Sequence, residues 1–77
     1  APPQRGRLML ELAGWQRTLD KPSDALATLV QFTKEFPDHP NLLSVRRQQL
    51  ELARDLDRPA DVEAFKAEIE RLSAPKQ

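Results

Sequence analysis

Two short acidic stretches hold the residue types that could do chemistry. Asp20 and Asp24 stand four apart in Leu19-Asp20-Lys21-Pro22-Ser23-Asp24-Ala25, and Asp57 and Asp61 do the same in Leu56-Asp57-Arg58-Pro59-Ala60-Asp61-Val62. Neighbouring carboxylates are the raw material of an acidic site. The order of residues points instead to the start of a helix. Asp20 and Asp57 are placed to cap, accepting bonds from the first free N–H groups of the next helix. Pro22 and Pro59 cost nothing in a first turn, and Asp24 and Asp61 match the positive end of the helix dipole. The single histidine, His39, lies in Asp38-His39-Pro40. Histidine can act as acid, base or ligand, but this one has no partner in sequence. Either Asp38 or His39 is expected to cap the helix that follows. With no nucleophile–histidine pairing, phosphate loop or zinc pattern, no catalytic, cofactor or metal residue is assigned, and no enzyme is expected.

The two acidic stretches are copies of one another at an offset of 37 residues (57 − 20). Each is flanked by apolar residues at helical spacing, so each reads as the turn of a helical hairpin. The first helix is expected over 5–19, with Leu8, Leu12, Trp15 and Leu19 as its core stripe and Leu10 almost opposite. Gly14 interrupts it, at a cost that close approach of a partner helix, or a need for flexibility, would explain. The second is expected over 22–36 with Ala25, Leu29, Phe32 and Phe36 inward, and Pro37 ends it. The third, over 40–56, carries Leu42, Val45, Leu52, Ala53 and Leu56 on one side and Leu43 and Leu50 on another, with Gln48 and Gln49 on the polar side or its edge. Within it Arg47 and Glu51 are spaced to pair across one turn. The fourth, over 59–73, shows Val62, Phe65, Ile69 and Leu72, and is otherwise charged. Residues 1–4 and 74–77 are expected as loose ends, 1–4 extended by their prolines. The fold class is all-α: two tandem antiparallel helix hairpins, over 5–37 and 38–73.

Composition narrows the functions. Twelve basic residues balance twelve acidic ones, which argues against nucleic acid as a partner and against a polybasic membrane-surface segment. No apolar run approaches the roughly 20 residues that span a bilayer, so no membrane insertion is expected. There are no cysteines to staple so small a chain. The start lacks the basic-then-apolar pattern of a signal peptide, and an excised or processed chain is the simplest expectation.

The hairpins resemble tetratricopeptide repeats. Leu12, Ala25, Leu29 and Pro37 fall at matching spacing in the first, and Leu56, the Asp57 turn, Val62 and Ile69 play comparable parts in the second. Related helical repeats (half-a-TPR, Sel1-like) and a plain four-helix bundle are the alternatives. The resemblance implies an α-solenoid fragment, and a non-catalytic scaffold that binds a partner protein or peptide through the face lined by helices 1 and 3. By position that face takes Arg7, Leu10 and Arg17 from the first repeat, and Arg47, Gln48, Glu51 and Arg54 from the second. Its arginines suit a partner segment bearing carboxylates. Since a lone hairpin cannot bury its apolar face, the chain is expected to belong to a longer array and to meet neighbouring repeats at helices 1 and 4. The alternative is self-association through Leu10, Leu43 and Leu50. Such repeats occur in cytosolic co-chaperones and in bacterial secretion, pilus and exopolysaccharide-export scaffolds; the second group, and with it the periplasm or cell envelope, is preferred.

Overall fold

In the computed structural model, residues 3–74 are described. They form four α-helices: α1 (Pro3–Thr18), α2 (Pro22–Glu35), α3 (Leu42–Asp55) and α4 (Pro59–Ser73). The fold is all-α, as expected, and each consecutive pair packs: α1 on α2, α2 on α3, α3 on α4. The result is a slab, 41 × 34 × 16 Å. Helix α1 starts at Pro3, so the extended end expected over 1–4 is already helical there; Ala1 and Pro2 lie outside the described residues. At the other end Ala74 is extended (φ −63°, ψ 137°), and 75–77 lie outside.

Both turns are built alike, and differently from the cap expected of them. Asp20 and Asp57 adopt left-handed backbone, with φ of 58° and 55°. At the first turn the Asp20 N–H reaches the Arg17 carbonyl at 3.0 Å and the Lys21 N–H reaches the Gln16 carbonyl at 2.8 Å. At the second, Asp57 bonds Arg54 at 3.1 Å and Arg58 bonds Ala53 at 2.9 Å. This pair of bonds around a left-handed residue is the Schellman termination of a helix. The aspartates therefore end α1 and α3, and Lys21 and Arg58 stand at the N-caps of α2 and α4 without a side-chain cap bond. The basic residue does two jobs through its backbone. Its N–H closes the helix before, and its carbonyl accepts the first bond of the helix after, from Ala25 and Val62 respectively, each at 3.0 Å. Pro22 and Pro59 occupy the first turn as expected.

Helix α3 opens at Leu42, not Pro40, because a turn intervenes. The Leu42 N–H bonds the His39 carbonyl at 3.0 Å, and His39 Nδ1 accepts the Asn41 N–H at 3.0 Å. The His39 ring also packs edge-on against Phe32, with centroids 5.0 Å apart. Its role is to fix the link between hairpins.

The core lies along α2 and α3: Ala25, Leu26, Leu29, Phe32, Val45, Leu52 and Ala53 are buried, joined by Ala13 from α1 and Phe65 from α4. The inward stripes expected for α2 and α3 are the ones observed; on α4 Phe65 is buried, while Val62, Ile69 and Leu72 are half-buried. Two placements differ. Gln49 is fully buried and not on a polar edge. Its Nε2 donates to the Leu29 carbonyl at 2.9 Å and more weakly to Thr33 Oγ1 at 3.4 Å, and its Oε1 accepts from Arg46 Nη1 at 3.0 Å. A buried amide with its groups satisfied costs little and fixes the register of α3 on α2. The second difference is the orientation of α1.

Candidate interaction surface

Helix α1 turns its small residues inward. Gly6 and Ala13 are buried, with Met9 and Leu10 packed partly against the core. A Cβ placed at Gly6 would come within 3.3 Å of the Phe32 ring and 3.6 Å of Phe36, so the glycine is what lets the helix settle on those rings. Gly14, expected to mark the close approach, has open space where a Cβ would stand. Close contact along Gly6 and Ala13 rotates the larger apolar residues out. Leu8, Leu12, Trp15 and Leu19, read as a core stripe, stand 57, 49, 65 and 63 % exposed. Together they leave on the order of 400 Å² of apolar side chain in water, the size at which a monomer's largest patch is often functional. A groove lined by Gln4, Arg5, Leu8, Met9 and Leu12 runs along one edge of the stripe. A shallower hollow lined by Glu11, Gly14, Trp15 and Thr18 lies along the other.

Polar contacts hold α1 in this orientation. Arg5 forks onto Glu35 at the end of α2, Nε to Oε1 at 2.6 Å and Nη2 to Oε2 at 2.9 Å. The Arg5 hydrogen bond, reinforced by one from Gln31, holds the Glu35 carboxyl down to about 2. Farther along, Thr28 donates to Gln16 Oε1 at 2.7 Å. The two turns are joined by Arg58 Nη2 donating to Ser23 Oγ at 3.1 Å.

The residues expected to bind a partner divide into three groups. Arg17 and Glu51 are brought together across α1 and α3, 3.9 Å apart. Glu51 thus faces Arg17, and not Arg47 as its spacing suggested. Arg47, Gln48 and Arg54 extend that surface along α3, with Arg47 and Arg54 exposed and Gln48 half-buried. Among the described residues, neither Arg47 nor Arg54 has an ion-pair partner. Arg7 lies apart, 3.9 Å from Glu11 on its own helix. Leu10 does not stand out as a contact: it is half-buried and packs on the core, as does Leu50, while Leu43 is half-buried too.

Sequence reasoning missed Leu8, Leu12, Trp15 and Leu19 as surface and Gln49 as core. One signal was present. Gly6 and Ala13, seven apart, make a small-residue row almost opposite the large one, and close helix packing follows small residues. Among the described residues no group of three or more His, Cys, Asp or Glu could hold a metal, and no helix is long and apolar enough to cross a membrane. Comparison with protein-family models, with curated proteins and with solved structures found nothing that matches the chain.

Proposed function

We propose that the chain is a non-catalytic protein-interaction module: two tetratricopeptide-like hairpins that act as part of a longer helical scaffold. The observation that carries this reading is the exposed row Leu8, Leu12, Trp15 and Leu19 on α1. Four large apolar side chains in line on one helix are costly to leave in water and are well suited to burial against another protein surface. The sequential packing of α1 to α4 and the 37-residue repeat support the array. A second contact zone is the α1/α3 face, where Arg47 and Arg54 are available to carboxylates of a partner peptide beside the Arg17–Glu51 pair. An array of this kind fits the scaffolds of bacterial secretion and exopolysaccharide export.

Affinity capture with the chain, with its L12E/W15E variant and with its R47E/R54E variant tests the reading. Loss of a captured protein in one variant but not the other assigns the contact. Identical capture by all three refutes it. Helicity of the variants is checked first, since all four side chains are exposed and the substitutions are expected to leave the fold intact.

A further inference from the structure

The repeat itself supplies a comparison for the exposed row. Moving 37 positions along the chain carries Leu8, Leu12, Trp15 and Leu19 onto Val45, Gln49, Leu52 and Leu56 of α3. There the same row is closed. Val45, Gln49 and Leu52 are 1, 0 and 2 % exposed, and Leu56 is half-buried. The covering element is α2. Gln49, in the middle of the row, donates to the Leu29 carbonyl and Thr33 Oγ1 of that helix, and residues at this spacing share one helix face. The row on α1 is thus the counterpart of a surface that, one repeat later, lies beneath the second helix of the preceding hairpin.

The opposite end of the slab is built otherwise. The α2 residues on the covering side, Leu26, Leu29 and Thr33, are buried. Their counterparts 37 positions on are Glu63, Lys66 and Glu70 of α4, all exposed. Lys66 and Glu63 pair with each other at 3.6 Å. A third hairpin laid on α4 would have to desolvate those charges. The two end helices thus differ: the α1 row is apolar, and the α4 counterparts of the covering side are charged.

We propose that α1 is a one-sided docking site for another helical hairpin, whose second helix lies across Leu8, Leu12, Trp15 and Leu19 as α2 lies across α3, and that α4 closes the stack. The occupant is a hairpin outside these 77 residues, not a second copy joined head to tail, because the α4 counterparts of the α2 covering side, Glu63, Lys66 and Glu70, are charged. Its chemistry follows from the differences between the two rows. Leu12 stands where Gln49 bonds a threonine, so the occupant presents an apolar residue there. Trp15 stands where α3 has Leu52, so it presents a smaller residue opposite. This rests on the interaction reading above and assigns the class of partner.

The test joins a second copy of residues 1–37 directly ahead of Ala1, which keeps the 37-residue register and puts an α2 before α1. Trp15 is the sole tryptophan, so the leading copy carries W15F and the emission reports the trailing Trp15 alone. A second fusion adds T33A to the leading copy, giving Leu12 an apolar, smaller neighbour. In at least one fusion the emission is expected to move to shorter wavelength, with acrylamide quenching reduced severalfold relative to the 77-residue chain. L12E in the trailing copy is expected to reverse both changes while helicity is retained. Solvent-like emission in both helical fusions overturns the proposal but leaves the capture experiment, and so the interaction reading, to stand or fall separately. A concentration-dependent blue shift in the 77-residue chain also overturns it, since a second copy then takes the face.

Discussion

Replacing the left-handed aspartates tests whether the turns end helices or begin them. Asp20 and Asp57 have φ of 58° and 55°, a conformation that costs an L-residue about 1–2 kcal/mol, with aspartate toward the low end. Glycine removes that strain but adds about 0.4–1 kcal/mol of unfolded-chain entropy. Neither aspartate supplies a side-chain cap bond to α2 or α4, so little else is lost. D57G is therefore expected to stabilise by about 0.5 kcal/mol, and D20G/D57G by about 1 kcal/mol, since separated sites add. For a chain of this size 1 kcal/mol corresponds to about 4–8 °C in Tm. D57T provides the contrast. Threonine is a good N-cap but is β-branched and resists left-handed backbone, so it is expected to destabilise by about 1–2 kcal/mol. Urea denaturation followed by circular dichroism at 222 nm measures all three. If D57T matches the parent while D57G is weaker, Asp57 acts as a cap, and the termination account of both turns fails.

G14A is expected to raise stability by about 1 kcal/mol, because a methyl there meets nothing and alanine is the better helix former; G6A is expected to lower stability by pressing on Phe32 and Phe36. A G14A variant no more stable than G6A would contradict the α1 orientation. The Glu35 carboxyl, followed by NMR, is expected to titrate near 2 and to return toward the usual range in R5Q. Its folded value lies below the unfolded one. The Arg5–Glu35 contribution is therefore complete above the unfolded value near 4.5 and is lost as pH falls toward 2; a normal titration in the parent chain refutes the fork. Q49A is expected to cost about 2–4 kcal/mol from the cavity and the partners it strands, as read by urea unfolding. A loss below about 0.5 kcal/mol, the usual surface range, would mean Gln49 is not the core group described.

Helical periodicity made most of the architecture legible. The four elements, the twin turns and the inward faces of α2, α3 and α4 follow from apolar spacing and proline placement. It failed at α1, where the most regular apolar row is the exposed one. A periodic row states that a face is apolar, not what covers it. Which of α1's faces meets α2 was decided by packing distance. Gly6 admits the Phe32 and Phe36 rings, and the fork from Arg5 to Glu35 fixes the rotation. Neither is visible until the helices are side by side. The turns failed for a related reason. Aspartate is at home both in an N-cap and in left-handed backbone, and only φ distinguishes the two uses. Of the candidate site, the Arg17–Glu51 approach was legible in its residues but not in its pairing, because a pair across helices competes with the i,i+4 pair along one.

The two end helices meet the same difficulty with opposite solutions. Each packs on one neighbour, while α2 and α3 pack on two. Helix α4 buries Phe65 and surrounds it with charge, including the Glu68–Arg71 contact at 2.8 Å, so its outer face is satisfied by water. Helix α1 leaves its row unsatisfied. Covering about 400 Å² of apolar surface releases on the order of 10 kcal/mol at most, before the costs of association. That is comparable to the whole stability of a small domain, so an occupant on α1 would contribute as much to the fold as the fold does to binding. Alone, α1 is held by small-residue packing, the Arg5 fork and the Gln16–Thr28 bond. It is the helix expected to open first, and its amides should exchange faster than those of α2 and α3. Protection of α1 that rises sharply in the fusion, with α4 unchanged, would place folding and docking in the same helix.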